Sequence, residues 1–186
     1  FQYSPESRWR GTNRHLLESP ADWISPNPDA PAGFNYKTNP PAADGSKIIV
    51  SDTDHLWGIG GDIDWVWKSF TRGHNLLFMD PYDNSVLGKT EPESWEALRA
   101  NLGFARRITE RFDLAAMQPM GELASTGFCL AQPNQSYIVY APTGGQVKIN
   151  LSQADGSFDV EWLAPAAGKL TRVAATSGGS PPTISP

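Results

Sequence analysis

The sequence predicts an α/β segment followed by an all-β segment, with the change near residue 113. Three observations carry this. Two short apolar runs, SKIIV at 46–50 and NLLFM at 75–79, bracket a helical pattern. A second helical pattern fills 91–112, and beyond Asp113 the apolar spacing drops from 3.6 residues to 2.

Residues 1–45 hold seven of the sixteen prolines and show little periodicity, so they read as a long ordered loop with a helical turn near Ser19–Ile24. Trp9, Trp23, Phe34 and Tyr36 within it call for a packing partner. The run 46–50 is a strand with both faces buried, as in a parallel sheet. A helix then starts at Asp62, an N-cap residue type. It presents Ile63, Val66, Trp67 and Phe70 at i, i+3, i+4 and i+7, and Gly73 follows its last turn. With 75–79 as the next strand, the three form a βαβ unit whose strands run parallel. Thr90 and Glu93 make a T-x-x-E capping box around Pro92. Trp95, Leu98, Leu102, Ala105, Ile108 and Phe112 follow on one helix face, with Arg99, Arg106 and Arg107 on the other. In the last third, VKINL and FDVEW alternate, and TGG, ADG and APAAG mark turns. Further strands near 123–131, 136–141 and 169–174 complete an antiparallel meander, read as part of a β-sandwich.

Composition narrows the function classes. A formal charge of −5 and the lack of a basic run disfavour a nucleic-acid groove. No apolar stretch is long enough to cross a membrane. The single Cys129 permits neither an internal disulfide nor a multi-cysteine zinc site, and its place on a strand suits a buried thiol. The chain opens on FQYSPES and closes on TSGGSPPTISP, which reads as a piece of a longer polypeptide.

The chemistry concentrates in SDTDHLWGIGGDIDWVWKSF, residues 51–70. In parallel α/β sheets, ligands bind beyond the carboxyl ends of the strands. Asp52, Asp54 and His55 follow the first strand, and Asp80 and Tyr82 follow the second, so all five are expected on one rim. Crowded carboxylates raise one another's proton affinity, which supplies an acid beside a base and suits glycoside hydrolysis. Trp57, Trp65 and Trp23 are the candidate sugar-facing aromatics, with Trp57 and Trp65 expected to be exposed to the cleft. The structural alternatives are a turn cap for Asp52, helix N-terminal charges for Asp62 and Asp64, and a turn opener for Asp80. D-x-D-H also offers oxygen and nitrogen metal ligands, but no second histidine cluster accompanies it, and neither metal nor cofactor is expected. GIGGD lacks the spacing of a phosphate loop.

SPADWISPN, NPPAADGSKIIVSDTDHLWGIGGD, WVWKSFTRGHN, LFMDPY and LAAMQPMGELASTGFCLA together resemble bacterial glycoside-hydrolase-like proteins of the apiosidase type. In that family a TIM barrel precedes a small β-sandwich, a domain named for collagen binding in collagenases. The resemblance spans nearly the whole chain. It implies that 1–112 is the C-terminal part of a (β/α)8 barrel, with 46–51 and 75–79 as strands seven and eight, and that 113–186 is the sandwich domain. It also implies a catalytic carboxylate at Asp54 or Asp52, with the acid partner upstream of Phe1. The expected function is thus the C-terminal portion of a secreted or periplasmic polysaccharide hydrolase. In it His55 orients the carboxylate, Trp57 stacks on a sugar, and Asp80 holds hydroxyls. The alternative is a non-catalytic module that binds glycan or collagen, for which 113–186 shows no aromatic trench. A sandwich that merely braces its neighbour is the plainest role for that domain.

Overall fold

The computed structural model describes residues 12–28, 34–56, 60–79 and 93–186. Along them run α1 (Asn13–Glu18), β1 (Trp23–Ile24), β2 (Ile48–Asp52), α2 (Ile63–Thr71), β3 (Asn75–Leu77) and α3 (Glu93–Thr109). Short strands follow: β4 (Gln118–Pro119), β5 (Cys129–Gln132), β6 (Ser136–Val139), β7 (Val147–Lys148), β8 (Ser157–Ala164), β9 (Lys169–Ser177) and β10 (Thr183–Ile184).

β2 is the centre of a parallel sheet ordered β1-β2-β3. Trp23 lies level with Ile48, and Val50, Ser51 and Asp52 lie level with Asn75, Leu76 and Leu77. The βαβ unit anticipated from the two apolar runs is therefore present. Its first strand begins and ends two residues late, which draws Ser51 and Asp52 into the ladder. Asp62 caps α2, its Oδ1 accepting from the Trp65 amide at 2.8 Å. Gly73, at φ +79°, turns the chain back toward β3 in a conformation that favours glycine.

α2 is buried on more sides than a single apolar stripe requires. Trp65, Val66, Trp67, Ser69, Phe70 and Thr71 are all inaccessible, because β3 flanks the helix on one side while α3 and β5 pack elsewhere around it. α3 presents the anticipated face: Leu98 and Ala105 are buried, with Leu102, Ile108 and Phe112 packed beside them. Its arginines stay outside, where Arg99 pairs with Glu96 and Arg106 with Glu110. Thr90 of the anticipated capping box lies outside the described residues.

The fold class differs from the expectation. The described residues contain three parallel strands of two, five and three residues in one small open sheet, not a segment of a helix-flanked barrel. A closed barrel needs about eight tilted strands in continuous register. Nor do the later strands form a sandwich. They divide into separate ladders, β4-β5-β6, β7-β10 and β8-β9, and the β7-β10 pairing is only two residues long, too short to extend into a continuous sheet. Alternation was nevertheless read correctly: Val147, Ile149 and Leu151 are buried while Lys148 and Asn150 face solvent.

One hydrophobic core crosses residue 113. Leu56, Trp65, Val66, Trp67, Phe70, Leu98 and Ala105 share it with Met117, Leu130 and Tyr140. Buried Asn101 reinforces the joint: its side chain accepts from Trp67 Nε1 at 2.8 Å and donates to the Ala97 carbonyl at 2.8 Å and the Pro165 carbonyl at 3.2 Å. Tyr140 donates to the Asp64 carboxylate, which also pairs with Lys68 at 3.0 Å. Burial alone raises the proton affinity of Asp64, but these bonds outweigh it and hold its pKa below the usual carboxylate value.

Candidate functional site

The site forms where β1 and β2 end. Asp52 closes β2 and is only 6% exposed. Its Oδ1 accepts from the His55 amide at 2.9 Å, and its second oxygen, Oδ2, accepts from the Ser25 hydroxyl. Ser25 directly follows β1, so the third parallel strand also delivers a polar group to this rim. The Ser25 Oγ lies 2.9 Å from His55 Nδ1, and His55 Nδ1 lies 3.5 Å from Asp52 Oδ2. A serine hydroxyl has one proton, and here it goes to Asp52. The contact with His55 is therefore made by an Nδ1–H that donates to Ser25, which leaves the lone pair of the neutral ring on Nε2. Asp54, half-buried, brings a carboxylate oxygen within 4.8 Å of the Asp52 and His55 ligand atoms.

Thr53 fixes the neighbouring strand. Its amide donates to the Leu77 carbonyl at 3.2 Å, and its hydroxyl accepts from the Met79 amide at 2.9 Å and donates to the Met79 carbonyl at 3.3 Å. The chain after β3 is thus stitched to the end of β2. Gly60 closes the loop with an amide bond to the Thr53 carbonyl at 3.0 Å. A Cβ on Gly60 would overlap Leu56, so glycine is required there by close approach.

A second polar cluster lies behind the sheet. His74 is buried, with Nε2–H donating to the Pro41 carbonyl at 2.9 Å and Nδ1 accepting from the Ser51 hydroxyl at 3.0 Å. Burial lowers its pKa to about 4, so it is neutral near pH 7. The Tyr36 ring packs 5.6 Å away, and Tyr36 joins Ile24 and Ile49 in a local cluster. Tyr36 thus holds the proline-rich loop against the sheet, whereas Trp23 and Phe34, also expected to pack, are exposed, and Trp9 lies outside the described residues.

Of the residues anticipated from sequence, Asp52, Asp54 and His55 come together. Asp80, Tyr82 and Trp57 lie outside the described residues. Trp65 is corrected: it is 1% exposed, packed into the core by the all-round burial of α2, and does not face a cleft. Trp23 is 62% exposed but level with Ile48, four residues before Asp52. At about 3.3 Å per residue it stands roughly 13 Å along the strand from the rim. Ser25 and Thr53 are additions, and Ser25 was within reach of the strand-end rule had WI at 23–24 been recognised as a strand. Cys129 is fully buried, and burial lifts its thiol pKa to about 12, which makes it a packing residue. A cleft of about 920 Å³ lies elsewhere, between α3, β6 and the β8-β9 hairpin. No protein-family model matches the chain, and no curated protein matches it either.

Proposed function

We propose that this chain carries the catalytic rim of a carbohydrate-active hydrolase, secreted or periplasmic, with Asp54 as the carboxylate that acts at the glycosidic bond. The observation that supports this reading is the division of labour between neighbouring carboxylates. Asp52 is buried and engaged through both oxygens, which suits a positioning group. Asp54 is the more accessible of the pair and stands beside an imidazole that Ser25 holds in one orientation. Glycoside hydrolysis asks for one carboxylate accessible to the sugar and for surroundings that set its protonation. Asp80, which follows the third strand in sequence, is assigned to binding sugar hydroxyls. The core shared across residue 113 supports a bracing role for the β segment.

The test is release of reducing sugar from a panel of plant and bacterial polysaccharides by the intact protein. Asp54→Asn should lower turnover by at least a thousandfold, about 4 kcal/mol in the barrier, while the melting temperature moves by no more than about two degrees. Turnover that survives the substitution removes Asp54 from the mechanism. A second reading, a glycan-binding surface without catalysis, draws on the exposed Trp23 and Ile48. It expects Trp23→Ala to lose retention on immobilised glycan, and no hydrolysis by the parent.

A further inference from the structure

We propose that Asp52, Asp54 and His55 form a binding site for one divalent transition-metal ion of the zinc or manganese type. The set is not merely acidic. It joins two carboxylates and an imidazole nitrogen, and the hydroxyl that orients two of them, Ser25, comes from the end of a different strand, some thirty residues away in sequence. Mixed oxygen and nitrogen donors of this kind suit zinc and manganese better than calcium or magnesium, which take oxygen alone.

The spacing is compatible with one ion. Around an ion with bonds of about 2.1 Å, neighbouring ligand atoms stand about 3.0 Å apart in an octahedral shell and about 3.4 Å apart in a tetrahedral one. His55 Nδ1 and Asp52 Oδ2 are 3.5 Å apart, close to the tetrahedral value. Ser25 is hydrogen-bonded to Asp52 Oδ2 too closely to share the shell with it, and serves as the outer partner that orients the ligands. An Asp54 carboxylate oxygen lies within 4.8 Å of the ligand atoms of both Asp52 and His55, and moves inward to complete the set. Charge favours occupancy as well. Asp52 is a buried carboxylate held by a hydroxyl and a backbone amide beside a neutral imidazole, and a buried charge without a counter-charge is costly. Coordination through Nδ1 would move the imidazole proton to Nε2. The inference does not depend on the catalytic role proposed above for Asp54.

Calorimetric titration of untagged, chelator-stripped and desalted protein with zinc chloride, and separately with manganese chloride, tests it. One ion per chain is expected, with affinity reduced tenfold or more in Asp54→Asn and in His55→Ala. His15→Ala, a surface histidine remote in sequence, should bind as the parent does. Circular dichroism melts of the metal-free variants show whether each is folded. If His55→Ala is not, Asp54→Asn, whose side chain is half-buried only, carries the comparison. No binding by about 1 mM of either ion, or equal affinity in the parent and Asp54→Asn, overturns the site. Hydrolysis measured in chelator is a separate readout, so the two proposals fail independently.

Discussion

Ser25 shows how a single hydroxyl can organise a site. It donates to Asp52, so it must accept from His55, and that sequence of bonds sets the imidazole tautomer. His74 does the same structural work behind the sheet, where its two nitrogens tie the Pro41 carbonyl to Ser51, the residue before Asp52. Its pKa is about 4 in the folded chain, against about 6.5 when unfolded. Between those values the unfolded chain binds a proton that the folded chain excludes, so stability falls as pH drops from 6.5 to 4. The loss amounts to roughly 3 kcal/mol from this residue. Urea midpoints across that range should decline in the parent and decline less steeply in His74→Gln. Parallel declines in the two would remove His74 as the cause. Neither Ser25 nor His74 stood out in the sequence, because a lone serine or histidine acquires meaning only from the strand it follows and the neighbour it meets.

At the scale of elements, legibility followed length. α3 holds its apolar face for about five turns, and that face was found packed as anticipated. β2 and β3 were legible as apolar runs, and their parallel register is the one that brings Asp52 and the end of β3 together. β1 was not, since two residues within a proline-rich loop carry no period, and Ser25 was lost with it. α2 was recognised but its surroundings were not. A helix wedged between a sheet on one side and a helix on another buries Trp65 as well as Trp67, so counting aromatics on one stripe gave the wrong exposure. The connection between α2, α3 and the β8-β9 turn rests on Asn101. Asn101→Leu keeps the branched skeleton but strands the Trp67 indole N–H and the Pro165 carbonyl, so a destabilisation of about 2–3 kcal/mol is expected in chemical unfolding. A change below about 0.5 kcal/mol would mean that these groups find other partners. Gly168, at φ +61°, packs the same turn against Phe104, and a side chain there would overlap the ring.

At the scale of the whole molecule, the change from helix to strand near residue 113 was visible in the period, but the way the halves join was not. Resemblance suggested a barrel and a sandwich. The described residues instead form a small parallel sheet and separate antiparallel ladders that share one core. Because Leu98 and Trp67 pack in the same cluster as Leu130 and Tyr140, the chain should unfold in one cooperative transition, with fluorescence and circular dichroism midpoints coincident. Two separated transitions would show that the halves are independent. The same packing ties the β segment to α2 and α3, with Asp64 and Tyr140 as its polar link.

The convergence of Ser25, Asp52 and His55 at that rim is most directly tested by nitrogen-15 NMR of the His55 ring in metal-free protein, above the ordinary imidazole pKa of about 6.5. A proton on Nδ1, with Nε2 bare, and a changed Nδ1 signal in Ser25→Ala are the expected outcome. A ring protonated on Nε2 instead, or one indifferent to the loss of Ser25, would contradict the site as described.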